Sequence, residues 1–420
     1  MRRLRTAGRV GAAAASAAAL VWSLAGCTPA SPAAGRPFAT QLAGGGAGSS
    51  GASAGAPGAP GGETTRAHAT GVETGGRGSA KAARLLRAAL ADPDAIAVAG
   101  GDVWVANSAY ENGGRGWVSE FSAATGALIR VVGGPRYGLA DPQALAVAAG
   151  GLWVADGNGG GLTELSPATG ALVRVLAGPR YGLADPAAIA ADGRDLWVAN
   201  GGSDSATEVN AATGALVRVI DAPRYQLSTS VYAPAIAVAG GHVWVPDGNG
   251  DAVTEIDAAT GALIKVINAP AYRLDGPDAV TAAGGDVWVI DVDSGTVTEI
   301  NAATGALVRV ITAVTNVPLA IAASPTSVWL LTNLGVKAVV ARPDGVVDEF
   351  SAATGQPVRR IGVPPFRSGS PGGAITVDGD RVWATDTNFA TNRGWVAGLS
   401  AGTGAVVRVI GARNGHVQRS

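Results

Sequence analysis

The sequence predicts an all-β fold in which seven four-stranded antiparallel sheets stand radially around one axis. Three observations predict it. A phrase of the type Asp-Val-Trp-Val-Ala recurs and places Trp104, Trp153, Trp197, Trp244, Trp288, Trp329 and Trp383 in one register. A second phrase, Ala-Ala-Thr-Gly-Ala-Leu-Val-Arg-Val-Ile, follows each Trp. Its threonines, Thr125, Thr169, Thr213, Thr260, Thr304, Thr354 and Thr403, are separated by 44, 44, 47, 44, 50 and 49 residues. Between the phrases, Ile, Val, Leu and Trp alternate with small residues at period two, and the 3.6-residue period of a helical solenoid is missing. Seven such units make a seven-bladed β-propeller.

The second copy shows the elements of one blade, with strands expected at 144–148, 152–155, 162–166 and 171–176. Gly-Gly and Thr-Gly supply the tight turns between them. Ala and Gly on the innermost strand suit crowding near a central axis. The Trp of each second strand is expected to fill the space between neighbouring blades. One face of every blade needs the next blade to cover it, so the ring must close.

Composition narrows the function class. Only 15% of residues are charged, 47% are hydrophobic and the net charge is −1. The chain as a whole is therefore not a disordered one. It also lacks the basic footprint that nucleic acid requires.

The N-terminal segment reads as an address. Arg2, Arg3, Arg5 and Arg9 precede an apolar stretch over 10–25 that is short for a bilayer span. It ends in Leu24-Ala25-Gly26-Cys27, which resembles the lipobox of bacterial lipoproteins. That resemblance implies that 1–26 is a signal peptide and that Cys27, the one cysteine of the chain, carries the lipid. Residues 27–80 are rich in Ala, Gly, Pro, Ser and Thr and bury too little to offset ordering entropy, so a disordered tether is expected there. Residues 81–91 form a short element that reads equally as helix or edge strand. The propeller is expected over 92–412, with a tail at 413–420. These readings place the protein outside the cytoplasm, held to the membrane by its lipid.

The repeats, with phrases such as VWVAN, GTVTEINAATGALVRVI and PDAIAVAGGDVWV, resemble the YVTN/NHL-type and virginiamycin-B-lyase-like propeller repeats over about 92–411. The resemblance implies the fold; propellers host binding modules and enzymes alike. Similarity to the lyases implies a metal-assisted site of His and Glu on the ring face. The three histidines, His68 in the tether, His242 in a Gly-Gly-His turn and His416 in the tail, are not on loops expected to line such a site. Asp257-Ala-Ala-Thr-Gly261 is similar to the docking motif of quinoprotein dehydrogenases, but Leu263-Ile264-Lys265 follow where that motif ends in Trp. No cofactor is assigned.

One charge pattern repeats with the blades. Glu120, Glu164, Glu208, Glu255, Glu299 and Glu349 lie five residues before the threonine, and Arg130, Arg174, Arg218, Lys265, Arg309, Arg359 and Arg408 five after it. The turn between them should bring acid beside base, a pair contributing about 0.2–1 kcal/mol. Residues shared by nearly all copies maintain the blade, so function belongs where copies differ.

They differ in two loop classes expected on one face. Pro-Arg-Tyr recurs in the fourth-to-first connections as Arg136-Tyr137, Arg180-Tyr181 and Arg224-Tyr225. It reads either as a cationic, aromatic rim for a sugar, peptide or anionic ligand, or as packing of each crossover onto its blade. The second-to-third connections are longer at 108–116, 334–345 and 385–394, in the first, sixth and seventh copies. Ring closure makes those copies neighbours. Their loops bring Tyr110, Arg115 and Trp117 together with Lys337, Arg342, Phe389, Arg393 and Trp395 as a ligand-binding arc, unless the insertions are neutral ones at exposed tips. Asp247, Asn249 and Asp251 alternate as in a calcium loop, without the closing Glu, and Asp-Gly and Asn-Gly are also ordinary turn formers. The expected function is a binding or interaction module for an envelope protein, peptide, or anionic or sugar ligand. A lyase or hydrolase on the same face, and a structural envelope protein without a ligand, are the alternatives.

Overall fold

A computed structural model of the chain describes residues 89–108, 115–221, 223–227, 235–312, 317–333, 345–364, 366, 373–388 and 393–411. Within them lie seven sheets of four strands, each an antiparallel meander in chain order. The blades span 93–133, 142–177, 186–220, 237–267, 277–311, 317–362 and 375–411, numbered one to seven below. In blade two the strands are Pro142–Ala148, Gly151–Asp156, Gly161–Leu165 and Leu172–Ala177, one or two residues from the sequence expectation. First strands of neighbouring blades touch one another, so they line the axis.

Each strand-three to strand-four turn is fixed by its Thr-Gly. The glycine holds φ between +60° and +73° in all seven blades, a region that a side chain disfavours. The same register then sets Trp, acid and base in one row. In blade three Trp197 lies opposite Glu208, and Glu208 opposite Arg218. A bulge follows that row between strands three and four of every blade, which adds twist.

The core is distributed among the seams. Among the described residues there are seven hydrophobic clusters, each joining one blade to the next. The seven repeated Trp side chains are at most 1% exposed, and each lies in one seam. The ring closes: Trp383 of blade seven packs with Val103, Val105 and Phe121 of blade one. Leu90 joins that cluster from outside the blades. Its carbonyl accepts from the Gly394 N–H, and the Ala89 carbonyl accepts from Trp117 Nε1.

Candidate functional site

The recurring charges prove to be latches between blades. Arg130, Arg174, Arg218, Arg309 and Arg359 each place Nε 2.5–2.7 Å from the glutamate of their own blade. Arg174, Arg218 and Arg359 also donate from Nη2 to a carbonyl in the next blade's Thr-Gly turn, at 3.1, 2.9 and 3.1 Å. Blade seven has Gly398 in place of the glutamate, and its Arg408 donates to the Ala124 and Thr125 carbonyls of blade one. Burial pushes Glu120, Glu208 and Glu299 up to about 7, against the pull of their arginines.

Two further repeated positions were not read as parts of the blade framework, the first being noticed only at Asp247 as part of a turn or calcium loop. Three residues after the Trp stand Asn107, Asp156, Asn200, Asp247 and Asp291, all at most 3% exposed. Asp156 accepts the Ala140 and Asp141 amides of the incoming crossover, and Asn107 accepts the Ala91 amide. One residue before the glutamate stand Thr163, Thr207, Thr254 and Thr298. Each donates to the carbonyl of Tyr137, Tyr181, Tyr225 or Tyr272 in the preceding crossover, at 2.6–2.9 Å. Both were visible as periodic polar residues inside apolar strands, a pattern that marks buried, partnered groups.

Those tyrosines end short 3₁₀ turns, Pro135–Tyr137, Pro179–Tyr181, Pro223–Tyr225 and Pro270–Tyr272. Tyr137, Tyr181 and Tyr225 are 2–5% exposed. The hydroxyls of Tyr181, Tyr225 and Tyr272 donate to the carbonyls of Gly214, Gly261 and Gly305, in the next blade's Thr-Gly turn. The turns are thus wedges in the side-wall clefts between blades. Arg136, Arg180 and Arg224 stay exposed but lie over their tyrosine rings at 4.6–4.9 Å. The packing role of these turns is in view; the rings have no free face for a rim.

Of the expected loop arc, Tyr110, Lys337, Arg342 and Phe389 lie outside the described residues, as does Cys27 with the whole of 1–88. Arg115 is exposed, Trp117 half-buried, and Trp395 is buried between blades six and seven. Arg393 starts the strand Arg393–Ser400, so much of the third expected loop is an extended hairpin. Asp247 accepts the Gly250 amide and Asp251 the Gly276 amide. Among the described residues no group of three His, Cys, Asp or Glu is arranged to hold a metal.

The described part of the face on which strands one and three begin carries, besides the exposed Arg115, a run of aspartates. Asp92, Asp141, Asp185 and Asp275 precede first strands, Asp94 opens one, and Asp204, Asp251 and Asp293 lie in second-to-third connections. They are electrostatic neighbours across blades. Burial and the charge of Asp92 push Asp94 up to about 8, against a hydrogen bond from Ser108. Burial, and then Asp185, raises Asp141. Burial raises Asp293, with Asp275 and Asp251 adding to it. Asp247 is raised by burial, with Asp204 and Asp251 beside it. The result is a negative arc over blades one to five. The aspartates sit at repeat spacing in the sequence, and only ring closure brings them together.

No family model matches the chain, and no curated protein is similar to it. Solved structures are. The β-propeller domain of Cps50 (Swd1) from Myceliophteria thermophila is 14% identical, with a TM-score of 0.55 over 74% of this chain and 97% of that one. The WD40 repeats of RRP9 are 11% identical, with a TM-score of 0.54 over 70% and 87%. A chain of the mitotic checkpoint complex is 14% identical, with a TM-score of 0.52 over 70% and 88%. Likeness at this level concerns fold, and together with the seven closed sheets it makes the chain a seven-bladed β-propeller.

Proposed function

We propose that the chain is an extracytoplasmic binding module, tethered to the membrane through a lipid on Cys27, whose acidic face recruits a cationic segment of a partner protein. The repeat type we infer is the YVTN/NHL-like one. The observation that carries the binding role is the arc of aspartates over blades one to five, of which Asp185, Asp204, Asp251 and Asp293 are exposed. Charges of one sign gathered on a rigid face speed and orient encounter with the opposite sign. The structural neighbours include WD40 repeats and a chain from a named protein complex, which is consistent with a protein partner. The lipobox-like Leu24–Cys27 supports the anchor.

The test uses a capped lysine-rich peptide as probe. Asp185, Asp204, Asp251 and Asp293 are exposed, and the first three have positive φ, which Asn also tolerates. Changing all four to Asn should leave the fold intact and weaken peptide binding by about tenfold or more. Binding to the parent should fall as salt shortens the Debye length from ~10 Å at 0.1 M toward ~3 Å at 1 M. A parent that ignores the peptide, or a variant that binds it equally, overturns the cationic-partner reading. Lyase or hydrolase activity on the face, or a purely structural role, would then be preferred.

A further inference from the structure

The outer wall of blade two differs from the rest of the ring. Its fourth strand, Leu172–Ala177, leaves Val173 and Val175 49% and 40% exposed. Two residues apart on a strand, they share one face, and the exposed Ala171 and Ala177 extend the row. Among the described residues no other fourth strand exposes two large aliphatic side chains to this extent; blades three, four, five and six each show one, Val217, Ile264, Val308 and Val358. The repeat also changes along the row. Where blade two has Ala177, blades three, four and five have Asp221, Asn268 and Thr312, and Arg360 takes the place of Val175 in blade six.

Cations stand on both sides of this strand. Arg136 and Arg180 belong to the crossovers that flank blade two, 134–141 and 178–185, both of which are described in full. Each guanidinium lies over the following tyrosine ring, at 4.7 and 4.6 Å, and donates from Nη2 to its hydroxyl at 2.7 Å. A phenol holds the arginine in place without neutralising it. The strand's own Arg174 is instead paired with Glu164. Val175 borders the first of these crossovers, since a Cβ on Gly138 would lie 3.7 Å from its Cγ1. No acidic residue occurs over 133–140 or 165–184. Asp141 and Asp185, which follow in the chain, precede first strands on the ring face.

We propose that this wall rests on an anionic lipid surface, the aliphatic row entering the headgroup layer and Arg136 and Arg180 pairing with lipid phosphates. The inference rests on the anchor proposed above only for bringing the wall to the membrane. Chemistry decides for lipid over a folded partner. Protein interfaces centre on aromatic anchors and directed hydrogen bonds, whereas here Tyr137 and Tyr181 are buried and the row has no polar side chain. Aliphatic side chains flanked by unneutralised cations suit phosphate lying over hydrocarbon, where apolar burial and attraction to anionic lipid add. The entry of the chain agrees. The Ala89 carbonyl accepts from Trp117 and Ser119, so the segment that leads from Cys27 reaches the ring at blade one, beside this wall. With the wall on the membrane, the ring axis lies along the membrane plane and the aspartate face stays open to a partner.

The test uses the full chain with Cys27→Ser, so that one introduced cysteine is its only thiol. Val173→Cys or Val308→Cys, both at exposed positions, carries a polarity-sensitive dye. Val308 is the equivalent residue in blade five, across the ring. Vesicles contain phosphatidylglycerol and phosphatidylcholine in equal parts, or phosphatidylcholine alone. With the anionic vesicles the dye at 173 should shift to the blue and the dye at 308 should not, whichever part of the chain holds the protein on the vesicle. Phosphatidylcholine alone should not produce the shift, and salt at 1 M, where the Debye length is ~3 Å, should reverse it. Arg136→Gln with Arg180→Gln should lower the ratio of docked to undocked wall by about thirtyfold, at ~5-fold for each cation near an anionic surface. Val175→Glu leaves both crossovers unchanged and should abolish the shift as well. No shift at 173, equal shifts at 173 and 308, or a concentration-dependent blue emission at 173 without vesicles, which marks contact between copies, overturns the proposal. The anchor is judged separately, by fractionation of Cys27→Ser, so the two readings can fail independently.

Discussion

Asp291 is fully buried at the end of the second strand of blade five, where its Oδ2 accepts from Thr296 and Thr298 at 3.1 and 2.8 Å. Burial pushes it up to about 7, against these bonds and the Asp275 amide. In the unfolded chain an aspartate titrates near its ordinary value of 3.8. The native state therefore holds its proton longer, and its contribution to stability is complete below about pH 4 and lost as pH rises toward 7. At about 1.4 kcal/mol per unit, the interval from pH 5 to pH 7 is worth on the order of 2–3 kcal/mol. Blade three supplies the control. Asn200 occupies the equivalent place and donates from Nδ2 to Ser205 and Thr207 at 3.1 and 3.0 Å, the same pair with the bonds reversed. Asp291→Asn thus fits and cannot ionise. Urea unfolding of parent and variant at pH 5 and pH 8 should show the parent losing about 2–3 kcal/mol more over that interval, with the variant the more stable at pH 8. Other raised carboxylates, including Asp94 and Glu299, are common to both proteins and cancel. Equal losses in the two proteins would refute the assignment of a buried, proton-holding Asp291.

Trp288→Ala should cost about 3–5 kcal/mol in denaturant unfolding, since the ring is 1% exposed in the seam with Val328 and Leu330; a loss below about 1 kcal/mol would contradict its place there. Arg408→Ala removes the bonds to the Ala124 and Thr125 carbonyls and should raise amide exchange selectively around the Thr125 turn and at the blade seven edge, which exchange mapping resolves. Thr254→Val keeps the shape but leaves the Tyr225 carbonyl without its 2.6 Å donor, for a loss of about 1–3 kcal/mol by thermal or urea unfolding. Cys27→Ser should move the protein from the membrane fraction to the soluble one; retention after a high-salt wash would rule out lipid as the anchor.

The blade count, strand order and role of the seven Trp residues were legible because they depend on period alone. Tight turns at Thr-Gly and apolar alternation act within a single copy, so the sequence exposes them directly. The Glu–Arg rows were legible too, as a turn of fixed length brings such positions opposite one another. What each arginine reaches in the next blade was not, because that contact depends on the stagger between sheets. Pro-Arg-Tyr left rim and wedge both open for the same reason: nothing local reveals that the turn descends into a cleft until Thr207 meets the Tyr181 carbonyl. The acidic arc was hidden by its spacing, with Asp141 and Asp185 a full repeat apart in the chain yet electrostatic neighbours in the ring.

The two layers of each seam obey different constraints, and that difference explains where this fold has room for function. The inner layer is the same throughout: a buried Trp between sheets, closed from blade seven back to blade one. Losing it at any seam would open the ring, so all seven copies keep it. The outer layer only covers the cleft between fourth strands, and there the chain varies. Among the described residues it uses tyrosine in four consecutive seams and Phe366 in the sixth, while in blade six Arg360 pairs with Asp348, which stands where other blades have the threonine that bonds the turn. Variation confined to the outer layer therefore leaves the seven buried Trp, and with them the closed ring, intact.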